Sequence, residues 1–217
     1  MSNSIQAVIW DLDGVILDSA DEHRRAWQRL AREEGVSFTD ADFWATFGMR
    51  NDAIFAEKWS PLPPAEVQLL AKRKEAYFRE LIRETATPLP GAMELMRELH
   101  EAGYAQALAS STPIENIQLI SDVLGLKQYL SILVSGETVP HGKPAPDIFL
   151  KAASELNVPA QRCLVIEDAV AGVEAAHAAG MRCIAVAGDR DLPGLRKAEL
   201  MVKTLKEVSL AQIQALA

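Results

Sequence analysis

Short apolar runs alternate with helix-length segments through the second half of the chain, and this alternation most constrains the fold. Strands joined by helices form parallel sheets, because the chain needs a dozen or so residues to cross back over the sheet. The predicted strands cover residues 7–10, 105–109, 132–134, 163–166, 183–186 and, at an edge, 200–202. The sequence therefore predicts an α/β protein with a doubly wound parallel sheet.

The region between the first two predicted strands is different, because it contains no strand pattern. Apolar residues recur there at helical spacing, in segments that cover residues 20–34, 40–47, 51–58 and 65–84. Ser19, with Glu22 three residues later, is typical of a capping box at the start of the first helix. We therefore expect an inserted all-helical cap domain over residues 17–87, and a core domain over residues 1–16 and 88–217.

The composition fits a globular chain of 217 residues and limits its partners. The net charge of −8 argues against nucleic acid and membrane surfaces, because both bind basic proteins. No signal peptide or membrane-spanning run is found. Cys163 and Cys183 lie in apolar runs, so we expect buried free thiols and a cytoplasmic location. The sequence leaves open whether the protein is a monomer or a weak homo-oligomer.

Two aspartates and a glycine follow the first predicted strand directly. Asp11 lies at the carboxyl end of this strand, where open α/β sheets bind their ligands, and Asp13 points to the same side. Gly14 allows a sharp turn or a close approach of the backbone to a ligand. Two neighbouring carboxylates repel each other, which predicts a divalent metal, an acid–base pair or both. An ordinary turn at the strand end is the alternative.

Polar side chains also follow three other predicted strands. They are Ser110, Ser111 and Thr112 after the second strand, Lys143 after the third, and Glu167 and Asp168 after the fourth. Each has an alternative explanation as a helix cap or as a solvated loop residue. Because the carboxyl ends of parallel strands share one edge of the sheet, we expect these groups to meet in a single crevice.

Carboxylates, hydroxyls and an ammonium group in one crevice suit phosphoryl transfer. A carboxylate can attack phosphorus and hold it as an aspartyl phosphate. Oxygen ligands select Mg²⁺, with Asp11 and Asp168 as candidate ligands and Lys143 as a further positive charge. Phosphoryl transfer mainly requires this kind of charge stabilisation.

The chain resembles the haloacid dehalogenase (HAD) superfamily in four stretches that keep their order. Residues 11–14, Asp-Leu-Asp-Gly, resemble its first motif, Ser110 its second, Lys143 its third and Glu167–Asp168 its fourth. Within the superfamily the chain is most similar to the β-phosphoglucomutase-like phosphatases and mutases. The stretches that carry this closer similarity are 11–27, 71–74, 142–147 and 167–169.

The resemblance implies a Rossmann-like HAD core with the helical insertion acting as a cap over the substrate. It implies that Asp11 is the nucleophile and that Asp13 is the general acid and base. Ser110 and Lys143 would contact the phosphoryl oxygens. Asp13 also favours ester cleavage over dehalogenation or phosphonate hydrolysis, because a poor leaving oxygen needs a proton donor.

The resemblance further implies a bound Mg²⁺ ion and its ligands. Asp11, the main-chain carbonyl of Asp13 and Asp168 would hold the ion, and Glu167 would either ligate it or lie just behind the ligands. The peptide bond before Pro144 is expected to be cis on the same grounds. Base rates for X–Pro bonds favour trans.

Several candidate substrate residues lie in or near the predicted cap. His23 and Lys74 lie on the apolar stripes of two predicted helices, so both face inward, with snorkelling at the stripe edge as the alternative. The resemblance implies that they couple cap closure to substrate binding, so we expect them to touch or to converge on the cleft. Arg50 lies approximately where related mutases bind a second phosphate, or is a solvated loop arginine. Ser111 and Thr112 are further candidates.

The expected function is that of a Mg²⁺-dependent phosphatase acting on a small phosphorylated metabolite such as a sugar phosphate. A β-phosphoglucomutase interconverting glucose 1-phosphate and glucose 6-phosphate is the first alternative. Pro113 and Ile114 occur where the mutases have lysine and asparagine, which favours the phosphatase. A receiver-like phospho-acceptor signalling module is a remote alternative, because receiver domains are shorter and lack a helical insertion.

Overall fold

A six-stranded parallel sheet organises the computed structural model, which describes residues 4–59 and 61–216. The strands are β1 (Ala7–Trp10), β2 (Ala105–Ser110), β3 (Ile132–Ser135), β4 (Cys163–Glu167), β5 (Arg182–Val186) and β6 (Leu200–Val202). They are ordered β3-β2-β1-β4-β5-β6, so the doubly wound α/β fold is confirmed. The order reverses at β1, between β2 and β4, and the carboxyl end of β1 is therefore the expected ligand crevice.

Helices cover both faces of the sheet and fill the insertion after β1. The α-helices are α1 (Ala20–Glu34), α2 (Asp40–Thr46), α3 (Asn51–Lys58), α4 (Pro64–Thr85), α5 (Ala92–Glu101), α6 (Ile114–Val123), α7 (Asp147–Glu155), α8 (Val170–Ala178) and α9 (Leu210–Ala215). Short 3₁₀ helices cover Leu126–Gln128, Gly136–Thr138, Ala160–Arg162, Pro193–Lys197 and Leu205–Glu207. We call α1–α4 the cap helices. No helix in the described ranges has the length and apolarity needed to cross a membrane.

Alternating side chains of β1 join two apolar clusters, one on each face of the sheet. Val8 and Trp10 are fully buried in one cluster, and Ala7 and Ile9 are fully buried in the other. Each large apolar side chain buried in this way contributes roughly 1.5–3 kcal/mol. Burial on both faces fixes the register of β1 and, with it, the position of Asp11 at its end.

The cap helices have an apolar cluster of their own. Trp27 lies at its centre, with its ring centroid 5.2 Å from that of Phe55 and 5.7 Å from those of Phe38 and Trp59. The two chain segments that join the cap helices to the sheet run side by side, because Leu17 pairs with Pro88 in an isolated bridge. The cap helices are therefore packed as a unit that is attached to the sheet by two adjacent connections.

The structure corrects one local prediction and settles two others. Ser19 precedes α1, but its side chain makes no capping hydrogen bond, so the predicted capping box with Glu22 is wrong. The Lys143–Pro144 peptide bond is cis. Cys163 and Cys183 are buried free thiols, as expected.

Candidate active site

A cleft of about 120 Å³ opens between the carboxyl edge of the sheet and the cap helices. Its lining includes the polar groups predicted from all four strand ends. They are Asp11, Asp13, Ser110, Ser111, Thr112, Lys143, Glu167 and Asp168. Residues far apart in sequence meet here because the carboxyl ends of β1, β2, β3 and β4 share one edge.

Lys143 is a buried cation held between two carboxylates. Its Nζ donates hydrogen bonds to Asp11 Oδ1 at 2.5 Å and to Glu167 Oε1 at 2.6 Å, and 6% of its side chain is exposed. Burial alone would lower the pKa of Lys143, but Asp11 and Glu167 outweigh it and raise that pKa above its usual value. Lys143 is therefore a charged group of the cleft and not a solvated loop lysine.

Three carboxylates next to Lys143 form a buried cluster. One oxygen from each of Asp11, Glu167 and Asp168 lies within 4.8 Å of the others. Burial and the neighbouring Glu167 raise the pKa of Asp168 to about 7, and burial raises the pKa of Asp11 well above its ordinary value. Asp168 Oδ2 is buried and receives no well-directed hydrogen bond, although an Arg190 nitrogen lies 2.9 Å away.

This cluster fits a divalent cation of the Mg²⁺ type. All the donors are oxygen atoms, which hard cations prefer. The raised pKa values of Asp11 and Asp168 indicate that the cluster is short of positive charge. A cation beside these carboxylates would favour their ionised forms.

Two glycines allow the carboxylates to approach the backbone closely. A Cβ on Gly14, which has a φ of +80°, would lie 2.1 Å from Asp168 Oδ2. A Cβ on Gly172, in α8, would lie 1.8 Å from Glu167 Oε1. Any larger residue at either position would displace a carboxylate of the cluster, so these glycines set its geometry.

Asp13 is surrounded by hydrogen-bond donors. The Ser19 hydroxyl donates to Asp13 Oδ1, and the Thr112 hydroxyl donates to Asp13 Oδ2 at 2.9 Å. His23 Nε2 lies 3.6 Å from Asp13 Oδ1. Burial by itself raises the pKa of Asp13, but His23, Ser19 and Thr112 outweigh it and lower that pKa to about 2. Asp13 is therefore an ionised carboxylate, ready to accept a proton.

The expected contact between His23 and Lys74 is present on the cap side of the cleft. His23 Nδ1 lies 2.8 Å from Lys74 Nζ, and the His23 ring stacks on Phe78 with a centroid distance of 3.8 Å. Both residues line the cleft and are buried, so neither snorkels to the surface. Because His23 also approaches Asp13, the pair connects the cap helices to the end of β1.

Glu75 and the two asparagines that bind it were not identified from the sequence. Glu75 lines the cleft and accepts hydrogen bonds from Asn51 at 2.8 Å and from Asn116 at 2.6 Å. Asn116, in α6, also accepts a hydrogen bond from Arg79 at 2.8 Å. This contact joins α4 to α6 across the boundary between cap helices and sheet. No local pattern marks it, because it depends on how α4 packs against α6.

Of two arginines near the cleft, Arg50 was a candidate substrate residue, with a loop arginine as the alternative, and Arg190 was not considered. Arg50 does not line the cleft; it packs against Gly142, and its Nε lies 3.5 Å from Asp52 Oδ1. Arg190 was not identified, although it follows the predicted strand 183–186 as the other site residues follow theirs. Its guanidinium group donates to the main-chain carbonyl of Asp168 at 3.2 Å, which holds the end of β4.

The carboxylates, hydroxyls and lysine of the cleft lie in a part of the chain that matches a known protein family. The model of the haloacid dehalogenase-like hydrolases matches residues 5–180. The chain belongs to this family. The match includes β1, the cap helices and the strand ends that supply the cleft of this HAD-like hydrolase.

Relatives of this HAD-like hydrolase include phosphatases and a mutase. It is 34% identical to β-phosphoglucomutase of Bacillus subtilis, covering 95% of this chain and 92% of the relative. It is 30% identical to hexitol phosphatase A of Escherichia coli, covering 94% and 93%. It is 33% identical to the chloroplastic 5-amino-6-(5-phospho-D-ribitylamino)uracil phosphatase of Arabidopsis thaliana, covering 96% of this chain but 57% of that longer protein.

A solved structure also resembles the chain over almost its whole length. The structure of β-phosphoglucomutase from Clostridium difficile superposes with a TM-score of 0.88 at 30% identity, covering 98% of this chain and 96% of that one. This HAD-like hydrolase therefore belongs to the β-phosphoglucomutase-like subgroup.

Proposed function

We propose that this HAD-like hydrolase is a Mg²⁺-dependent phosphatase of a small phosphorylated metabolite, such as a sugar phosphate. The observation that carries the proposal is the convergence of Asp11, Lys143 and Asp168 in one buried cleft, with Asp13 beside them. The relatives named as phosphatases support it. Hydrolysis would proceed through an aspartyl phosphate on Asp11.

Asp11, Asp168 and the main-chain carbonyl of Asp13 are the proposed ligands of the metal. We propose a different role for Glu167, because both of its oxygens already accept hydrogen bonds from the protein. Its Oε1 accepts from Lys143, and its Oε2 accepts from the main-chain N–H groups of Asp168 and Ala169 at 2.7 Å each. We assign Glu167 as a positioning residue. The metal, when bound, supplies positive charge for the phosphoryl oxygens.

In the first step, a carboxylate oxygen of Asp11 attacks phosphorus, and the bond from phosphorus to the leaving oxygen breaks. Lys143 and the Ser110 hydroxyl would stabilise the charge on the phosphoryl oxygens, which is the main requirement of this chemistry. The leaving oxygen takes a proton from Asp13. Because Asp13 is ionised in this structure, it must first take up that proton from solvent.

In the second step, water attacks the aspartyl phosphate and gives a proton to Asp13. The bond between Asp11 and phosphorus breaks, and phosphate is released. The environment of Asp13 suits this step directly, because its lowered pKa keeps the carboxylate in the form that accepts a proton.

A β-phosphoglucomutase is the second candidate, favoured by two relatives that carry that name. A mutase must hold a second phosphate. Pro113 and Ile114 provide no cation for it, and Arg50 lies outside the cleft. Incubation with glucose 1-phosphate separates the candidates, because a phosphatase releases free phosphate whereas a mutase accumulates glucose 6-phosphate.

A phosphate-release screen tests the proposal. Sugar phosphates, nucleotides, phosphoglycolate and p-nitrophenyl phosphate would be tested with Mg²⁺ and with EDTA. We expect release with Mg²⁺ only, and none from Asp11→Asn. Asp122→Asn, on the exposed end of α6, is the matched control and should retain full activity. Release of no phosphate by the wild type, or release that survives Asp11→Asn, would contradict the proposal.

A further inference from the structure

Glu75 is a buried charged residue of the cleft that the proposed chemistry leaves without a role. It lies in α4 on the cap side, where the part of the substrate beyond the phosphoryl group must fit. Its residue exposure is 4%. A buried carboxylate is costly unless it is paired and hydrogen-bonded, so its position depends on the partners that hold it in the cleft.

The hydrogen bonds of Glu75 orient its carboxylate and leave room for one more donor. Oε1 accepts from Asn51 at 2.8 Å and from Lys74 at 2.9 Å, and Oε2 accepts from Asn116 at 2.6 Å. A carboxylate offers about four acceptor positions, so one position on Oε2 is left for a donor on a ligand. A hydroxyl group of a substrate is such a donor.

The charges around the cleft oppose a second anionic group on the substrate. Among the described residues that line the cleft, the two lysines are already paired: Lys74 with Glu75, and Lys143 with Asp11 and Glu167. A second phosphate on the cap side would therefore lie near the Glu75 carboxylate without a free lysine. Repulsion between like charges is stronger beside a buried carboxylate such as Glu75 than in bulk water.

We infer that Glu75 determines specificity by accepting a hydroxyl group of a monophosphate substrate and excluding substrates with a second phosphate. This inference rests on the proposed function and deepens it. An enzyme that excludes bisphosphates cannot retain the diphosphorylated sugar through which a mutase works. Glu75 would thus help to decide between hydrolysis and isomerisation.

The test compares kcat/KM for matched esters: glucose 1-phosphate with glucose 1,6-bisphosphate, and fructose 1-phosphate with fructose 1,6-bisphosphate. We expect the wild type to prefer the monophosphate by at least about tenfold. Glu75→Gln removes the charge and should reduce this preference about tenfold. Glu75→Asp keeps the charge and should retain it. Glu84→Gln, exposed near the end of α4, is the matched control.

The outcomes separate this inference from the proposed function. If the wild type hydrolyses p-nitrophenyl phosphate but shows no preference within either pair, the role of Glu75 is overturned and the phosphatase remains. An unchanged preference in a Glu75→Gln variant that melts cooperatively also overturns it. If the wild type hydrolyses none of these esters, the proposed function itself fails. The ratio of kcat/KM for monophosphate and bisphosphate in the wild type tests the inference even if a Glu75 variant does not fold.

Discussion

Lys143 Nζ lies 2.5 Å from Asp11 Oδ1, although 132 positions separate the two residues in the sequence. The contact joins the loop after β3 to the end of β1. It gives the proposed nucleophile a buried cation on one side, while Asp168 lies close enough to share a metal on the other. The proposed nucleophile therefore lies between a buried cation and a candidate metal ligand.

Replacing Lys143 with methionine should impair catalysis strongly. The loss of a preorganised positive charge next to the phosphoryl oxygens is expected to lower kcat by about 10²–10³-fold. Phosphate release from p-nitrophenyl phosphate measures the effect. Lys197→Met, at an exposed site paired with Glu174, is the control and should behave as the wild type. A loss below about tenfold would argue against Lys143 as a stabilising cation.

Mg²⁺ should stabilise the folded protein, because it binds a cluster that forms only on folding. At a concentration of about 100 times the dissociation constant, the gain is about 2.7 kcal/mol, which raises the melting temperature by about 5–10 °C. Asp168→Asn should abolish the increase, and Asp122→Asn should keep it. Thermal melting with Mg²⁺ and with EDTA provides the measurement. An equal increase in Asp168→Asn would place the metal elsewhere.

Lys74→Met should destabilise the fold, because it leaves the buried Glu75 carboxylate without its cation. Removing one partner of a buried ion pair costs about 3–5 kcal/mol. The double variant Lys74→Met/Glu75→Gln should recover part of this loss, since it removes both charges. Lys72→Met, exposed on the same helix, is the control. Urea denaturation measures the free energies, and a double variant no more stable than Lys74→Met would count against the pairing.

Asp42, in the first turn of α2, should make the free energy of unfolding decrease at acidic pH. Hydrogen bonds from the side chain and main-chain N–H of Thr39, and Lys58 beside them, lower the pKa of Asp42 to about 2. The unfolded-state pKa is near 3.9, so this contribution is present above about pH 4 and is lost as the pH falls towards 2.

Asp42→Asn should therefore melt at a lower temperature than the wild type at pH 7, and the difference should shrink below pH 4. Asp122→Asn should show no such convergence. Melting curves between pH 7 and pH 3 measure the difference. A difference that stays constant over this range would show that the Asp42 charge does not stabilise the capping box.

The sheet and the strand-end residues could be predicted because they follow from local patterns. An apolar run such as Ala7–Trp10 has few alternatives to a strand buried on both faces. The topology of parallel strands then places Asp11, Ser110 and Asp168 at one edge, whatever the strand order. These inferences need no knowledge of how helices pack.

The partners of Ser19 and Glu75 could not be predicted, because they depend on contacts that no local sequence pattern encodes. Ser19 matches a capping box by spacing, but the chain turns back after Gly14, whose N–H bonds to Leu17, and this brings the Ser19 hydroxyl to Asp13. Glu75 and Asn116 meet only because α4 packs on α6. Side-chain partners at the boundary between two packed units therefore required the three-dimensional structure.

The most direct test of the central claim is to locate the phosphoryl group on the enzyme. Asp13→Asn should still react with p-nitrophenyl phosphate, whose leaving group needs no proton, but it should be slow to activate water. We expect a burst of about one p-nitrophenolate per enzyme, and a phosphoryl group on Asp11 by peptide mass spectrometry after acid quench. A phosphoryl group on another residue would contradict the account. So would a burst of the same size from the double variant Asp11→Asn/Asp13→Asn.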